Sequence, residues 1–293
     1  MVIFELTKFL NSMKNSILIP TDFSENAWAA LKYASELAKK FNFDLHILHV
    51  YQTFGNILGT TEFKETVAKH NEESAFVEME RLETKVRENY PSLLISAACI
   101  EGNLTDSILK VAEENNVTFI VMGTKGAGGL KGYILGSNTF EIIQNSVIGV
   151  IAVPESYQEF KFKKVGLLTN FKDPELGLLE SFINRTSPGL DLTLLHVTEN
   201  GRNIDNNSVL FWQEKIIKQL GINLISYKSK EMINRIDINE PIPYIIQELI
   251  SEEEIDILLV SYTRKSFFAS LFSKNLAKTI ANTLSIPTYF LKS

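Results

Sequence analysis

The sequence predicts an α/β protein made of two tandem copies of one parallel-sheet domain. Two observations carry this. First, short apolar runs without polar alternation, such as residues 117–122, take turns with segments of helical spacing. That alternation implies parallel strands joined by right-handed crossovers. Second, the plan restarts in the second half. Thr169-Asn170-Phe171 repeats Thr21-Asp22-Phe23, and Leu194-Leu195-His196-Val197 repeats Ile47-Leu48-His49-Val50. From Gly102 onward a constant shift of 138 residues sets Val117 on Ile255, Gly123 on Ser261 and Gly149 on Pro287. So regular a repeat means duplication, and 293 residues suffice for two cores. The expected domains are residues 14–155 and 161–293, joined near 155–162.

In order, residues 16–21 (SILIPT) form the first strand and Asp22-Phe23-Ser24 turns into a helix, with Ser24 as its N-cap. Trp28, Leu31, Ala34, Ala38 and Phe41 mark the buried face of that helix. Residues 44–51 make the second strand and 52–62 a loop. A charged surface helix over 63–89 is stopped by Pro91. Strand three at 93–100, a helix at 104–115 and strand four at 117–123 follow. A glycine loop, a helix at 137–145 and strand five at 148–153 complete the first copy. In the second copy the long helix is trimmed to about 206–220. Residues 1–13 contain Glu5 and Lys8 and lack a small-residue cleavage site, so they read as a tail or an upstream-start artefact rather than a signal peptide.

Composition narrows the function classes. Lys and Arg number 29 against 35 Asp and Glu, a mildly acidic balance that speaks against a nucleic-acid or anionic-membrane surface. Cys99 is the single cysteine, so no disulfide framework or cysteine metal site is expected, and its apolar surroundings read as core. His46 and His49 face opposite sides of their strand and make no ligand pair. No apolar run approaches a membrane span. Cytoplasm is the expected compartment.

The chemistry-bearing stretch is residues 121–139, VMGTKGAGGLKGYILGSNT. An apolar strand leads into six glycines between Gly123 and Gly136, after which helical spacing resumes. Glycine brings bare N–H groups close to an anion, and a helix start adds N–H donors and a positive dipole end. Ser137 or Asn138 either caps that helix or offers its side chain to a phosphate oxygen. The phosphate-loop pattern G-x-x-x-x-G-K-[ST] is absent. The dinucleotide pattern G-x-G-x-x-G fails at Lys131 and belongs after a first strand, not a fourth. What the residues spell is Gly123-x2-Gly126-x9-Gly136-Ser137. Together with the Pro20-Thr21-Asp22 turn, the Leu48-His49-Val50 strand end and the duplication, this spacing resembles tandem universal stress proteins over nearly the whole chain.

That resemblance implies two doubly wound five-stranded parallel sheets of order 3-2-1-4-5, of the adenine nucleotide alpha hydrolase-like type, packed about a pseudo-two-fold axis. It implies a nucleotide crevice between the carboxyl ends of strands one and four, with ATP as ligand, with or without Mg²⁺. Gly123, Gly126, Gly136, Ser137 and Asn138 would surround the phosphates. Lys125 either neutralises phosphate charge or is simply solvated. Thr21 and Asp22 lie on the opposing turn. Asp22 contacts the ribose, the base edge or Mg²⁺, or else serves only as a turn residue. Val50 would offer backbone groups to adenine, with Met122 beside the ring. No catalytic residue and no resident metal site is expected.

The second copy departs at each signature position: Asn170 replaces Asp22, and Ser261, Arg264, Lys274 and Asn275 replace Gly123, Gly126, Gly136 and Ser137. It should not bind ATP in the family manner. The rival reading makes Arg264, Lys265 and Lys274 a basic pocket for another anion. The expected function is a cytoplasmic, ATP-binding stress-response or regulatory module. The alternatives are a weak ATPase or phosphotransferase, against which stands the lack of an obvious water-positioning base, and a scaffold whose second copy binds another ligand or partner. The fifth strands, 148–153 and 286–291, are apolar edges that invite pairing. They are expected to join the copies as an intramolecular pseudo-dimer, with a homodimer also open and the protein partner unnamed.

Overall fold

The computed structural model describes residues 15–52, 61–115, 117–124, 136–186, 189–199, 204–232, 234–235, 238–239, 242–262 and 285–292. The chain divides into two compact units that meet in sequence at Glu155 and Ser156.

In the first unit the elements are β1 (Ser16–Pro20), α1 (Glu25–Phe41), β2 (Asp44–Tyr51), α2 (Thr61–Asn89), β3 (Ile95–Glu101), α3 (Leu104–Glu114), β4 (Phe119–Gly123), α4 (Ser137–Asn145) and β5 (Val150–Val153). Its strands lie in the order β3-β2-β1-β4-β5, all parallel. This is the 3-2-1-4-5 order that the resemblance implied. β1 runs in register with β2 from Ser16 opposite Asp44 to Pro20 opposite Leu48, and meets β4 at Ile17 opposite Phe119. β1, β4 and β5 are buried along their whole length, which is why they carry no polar alternation.

Winding reverses between β3 and β4, so right-handed crossovers set α1 and α2 on one face and α3 and α4 on the other. α1 packs on β1 and β4. Ser24 caps it as expected, its Oγ accepting the Ala27 N–H at 3.2 Å, and Asn42 ends it in the left-handed conformation. Leu31, Ala34 and Ala38 are buried in α1, while Trp28 is half-buried and lies beneath the Lys85 ammonium, 3.8 Å from its ring centroid. α2 is the charged surface helix anticipated. It carries ion pairs such as Arg87–Glu83 outside and buries Ala75, Met79 and Val86. Cys99 is buried, its Sγ 3.5 Å from the Ala75 carbonyl, and burial pushes its thiol up to about 12.

The second unit repeats the plan with β6 (Lys164–Leu168), α5 (Asp173–Ile183), β7 (Asp191–Glu199), α6 (Asn206–Leu220), β8 (Ile225–Met232), α7 (Ile242–Glu252), β11 (Ile257–Tyr262) and β12 (Thr288–Lys292). A short antiparallel pair, β9 (Asn234–Arg235) and β10 (Ile238–Asn239), interrupts it. Within this unit the order is β8-β7-β6-β11-β12, again parallel throughout. Phe162 stacks on Phe182, and Phe182 in turn packs against Tyr289, so an aromatic cluster fills this core. Among the described residues, no helix is long and apolar enough to cross a membrane.

Candidate functional site

The reversal of winding opens a crevice at the carboxyl ends of β1 and β4, the place where α/β sheets receive ligands. Each wall is built by local hydrogen bonding that its sequence specifies.

At the end of β1 the Thr21 N–H donates to the Leu48 carbonyl at 2.9 Å, keeping the chain beside β2 for one more residue. The chain then turns sharply. The Thr21 hydroxyl oxygen accepts the Phe23 N–H at 3.1 Å, and Phe23 itself takes a φ of 63°. Asp22 Oδ1 accepts both the Ser24 N–H at 3.1 Å and the Ser24 hydroxyl at 2.6 Å. Asp22 is therefore a turn residue in fact, and it also stands exposed at the crevice. His49 holds this turn from β2. Its Nδ1 lies 2.8 Å from the Thr21 carbonyl oxygen, which can only accept, so Nδ1 carries the proton. Its ring lies 4.4 Å from that of Phe23.

Across the crevice, β4 ends in Met122 and Gly123, with Thr124 beyond, all buried. A Cβ on Gly123 would stand 2.1 Å from Asn26 Oδ1 and 2.8 Å from the Asn26 carbonyl oxygen. Glycine is required here because the first turn of α1 lies directly against the strand. The Thr139 hydroxyl donates to the Gly123 carbonyl at 2.8 Å in a buried bond, which fastens the first turn of α4 to the end of β4. The Thr124 N–H donates to the Val153 carbonyl at 3.0 Å, and the Gly136 N–H donates to the Thr124 carbonyl, so both ends of the intervening loop are fixed at one point.

The start of α4 differs from one sequence expectation. Neither Ser137 nor Asn138 is the N-cap; Gly136 is, with φ −61° and ψ 150° and no side-chain capping bond. Gly136 thus has an ordinary extended backbone and needs no left-handed freedom. Ser137 and Asn138 fall in the first helical turn, exposed, where their backbone N–H groups have no intrahelical acceptor. A helix start without a side-chain cap, at the crevice, presents N–H donors and a positive dipole end to an anion.

Thr21 and Asp22 thus follow the strand that pairs with β4, whose end carries Met122 and Gly123 and holds the start of α4 with Gly136, Ser137 and Asn138. Val50 is half-buried on β2, one residue beyond His49. Lys125 and Gly126 lie outside the described residues. Sequence reasoning passed over Asn26, Thr139 and the bonding role of His49. Only His49 left a signal, through its repetition as His196.

The second unit keeps the turn and changes its surroundings. His196 Nδ1 lies 2.8 Å from the Thr169 carbonyl, the Phe171 N–H donates to the Thr169 hydroxyl oxygen at 2.8 Å, and Phe171 has a φ of 59°. Here a buried carboxylate enters. Glu175 accepts the Thr169 hydroxyl at 2.6 Å, the Asn170 N–H at 3.0 Å and the Lys172 N–H at 3.0 Å. Ser261 and Tyr262, both buried, replace Gly123 and Thr124 at the end of β11. Arg264, Lys265, Lys274 and Asn275 lie outside the described residues.

Comparison with known proteins bears on the fold. Residues 13–154 match the universal stress protein family. Universal stress protein MJ0577 of Methanocaldococcus jannaschii is 28% identical over 159 residues, covering 49% of this chain and 97% of that protein. A solved universal stress protein from Archaeoglobus fulgidus DSM 4304 covers 95% of this chain and 96% of its own, with a TM-score of 0.65 at 19% identity, a likeness of fold. A universal stress protein solved in complex with cAMP is 18% identical over 49% of this chain and 99% of its own, with a TM-score of 0.37. Residues 13–154 thus form a domain of the universal stress protein family, and the chain carries the fold of that family.

Proposed function

We propose that the first unit binds one adenine nucleotide, ATP, at the crevice between β1 and β4, and that the protein acts as a cytoplasmic stress-response or regulatory module. The observation that carries this reading is the start of α4. It lacks a side-chain cap, follows a glycine signature, and is fastened by Thr139 to the strand end opposite Asp22. The triphosphate would lie on the N–H groups of Ser137 and Asn138 and on the backbone of the glycine loop, with Lys125 balancing charge. Thr21, Asp22, Val50 and Met122 would receive the ribose and base. If Mg²⁺ accompanies ATP, the exposed Asp22 carboxylate is the oxygen donor at hand, with the phosphates supplying the remainder.

The second unit has Asn170 where the first has Asp22, so one site per chain is expected. Association of the two copies through their fifth strands belongs to the same reading; residues 14–155 produced alone should then form a dimer in ultracentrifugation, and a stable monomer would refute it.

Mass spectrometry of the purified chain and calorimetric titration with ATP test the site. Intact ATP at one site favours the module, ADP favours the hydrolytic alternative, and no nucleotide favours a scaffold. Gly126→Glu and Gly136→Trp should each abolish binding while the fold persists. Unchanged affinity in both would place the site elsewhere.

A further inference from the structure

The two strand-end turns share the bonds that frame them. In each, a threonine hydroxyl accepts the N–H of a phenylalanine at positive φ, and a histidine on the neighbouring strand donates Nδ1–H to the threonine carbonyl. The helix that follows begins four residues after the threonine in both, at Glu25 and at Asp173. Position 27 in the first unit therefore corresponds to position 175 in the second: the third helical residue, and the sixth after the threonine. The first unit has Ala27 there and the second has Glu175.

The histidine bond also fixes a direction. A trans peptide points its C=O and the next N–H opposite ways. Holding the Thr21 carbonyl toward β2 therefore turns the Asp22 N–H away from β2. The equivalent N–H in the second unit, that of Asn170, meets the Glu175 carboxylate. The same carboxylate takes the Thr169 hydroxyl and the Lys172 N–H.

We propose that Glu175 is an internal ligand that closes the second crevice: its carboxylate occupies the donors of the strand-end turn, among them the Thr169 hydroxyl, whose counterpart in the first unit, the Thr21 hydroxyl, receives an acceptor group of the bound nucleotide. The assignment of ligand to the first unit rests on the function proposed above; the closing of the second unit does not. Glu175 is nearly fully buried, and each of its bonds in this cluster comes from a donor. A negative charge held there also repels phosphate and any other anion that enters. The expected absence of nucleotide from the second copy thus has a cause in the strand-end turn as well as in the departures from the glycine signature.

Two experiments on the full chain decide this. In Glu175→Ala the donors lose their carboxylate, so thermal unfolding should move down by several degrees. Sodium acetate should restore part of the loss relative to sodium chloride at equal ionic strength, and should leave the unsubstituted chain unmoved. Absence of selective rescue by acetate overturns the proposal. The converse variant, Ala27→Glu, places the carboxylate in the first unit. It should melt no lower than the unsubstituted chain and bind ATP at least tenfold more weakly. Equal affinity, or a lower melting temperature, overturns the transfer of the device to the first unit. If the unsubstituted chain itself binds no ATP, the proposed function fails, and the acetate experiment still decides the role of Glu175.

Discussion

Replacing Gly123 by alanine separates two reasons for a glycine at the end of β4. The added Cβ would stand 2.1 Å from Asn26 Oδ1, 2.7 Å from Asn26 Cγ and 2.8 Å from the Asn26 backbone oxygen. The side chain can swing aside, but the carbonyl belongs to the first turn of α1 and moves only with the helix. Relieving it requires a shift of roughly half an ångström in a close-packed layer, where overpacking costs about 1–3 kcal/mol. Taking about 2 kcal/mol, melting should fall by ~4–8 °C for a domain of this size. The same shift displaces Ser24 and the Asp22 turn, so ATP affinity should fall together with stability. Asn26→Ala combined with Gly123→Ala removes the side-chain clash and leaves the carbonyl, so about half of the loss should return. Circular dichroism melts and calorimetric titration measure both effects. If Gly123→Ala melted within about 1 °C of the unsubstituted chain, the close approach of α1 to β4 would be wrong; loss of affinity alone would mean that the glycine serves the ligand instead of the packing.

Three further outcomes are expected. Thr139→Val keeps the shape of a buried side chain but removes its donor to the Gly123 carbonyl; stability should drop by about 1 kcal/mol, and ATP binding should weaken because α4 is no longer fastened to β4, both read by denaturant titration and calorimetry. His49→Asn retains a donor near the position of Nδ1 and should keep the turn, whereas His49→Leu should raise amide exchange of Phe23 and Ser24 about tenfold or more; equal exchange in the two variants would deny the histidine its holding role. Cys99 should resist thiol reagents at pH 8 until the chain is unfolded, since burial keeps it protonated up to about 12. The sign for stability follows. Above about pH 9 the unfolded chain gives up this proton and the folded chain keeps it, so stability falls as pH rises from 9 toward 12. The fall should be steeper in the unsubstituted chain than in Cys99→Ala.

Local chemistry made much of this protein legible from its residues. β1, β4 and β5 are apolar runs because they are buried throughout, Ser24 caps α1 because its hydroxyl reaches an N–H three residues on, and α6 spans the Asn206–Leu220 segment expected of it. The duplication was readable because Thr-x-Phe and the following histidine recur at matching places, and those residues form the same turn in each unit. What the tertiary structure alone decided are relations between residues far apart in the chain. Gly123 excludes a side chain because Asn26, on another element, lies against it. Gly136, not Ser137 or Asn138, caps α4, and the Thr139 hydroxyl fastens the first turn of that helix to β4. Glu175 reads in sequence as one more charge in the first turn of a helix. Only the fold brings its carboxylate back onto the Thr169 turn, because the direction of a side chain is set by the helix axis, and the axis is set by packing on the sheet.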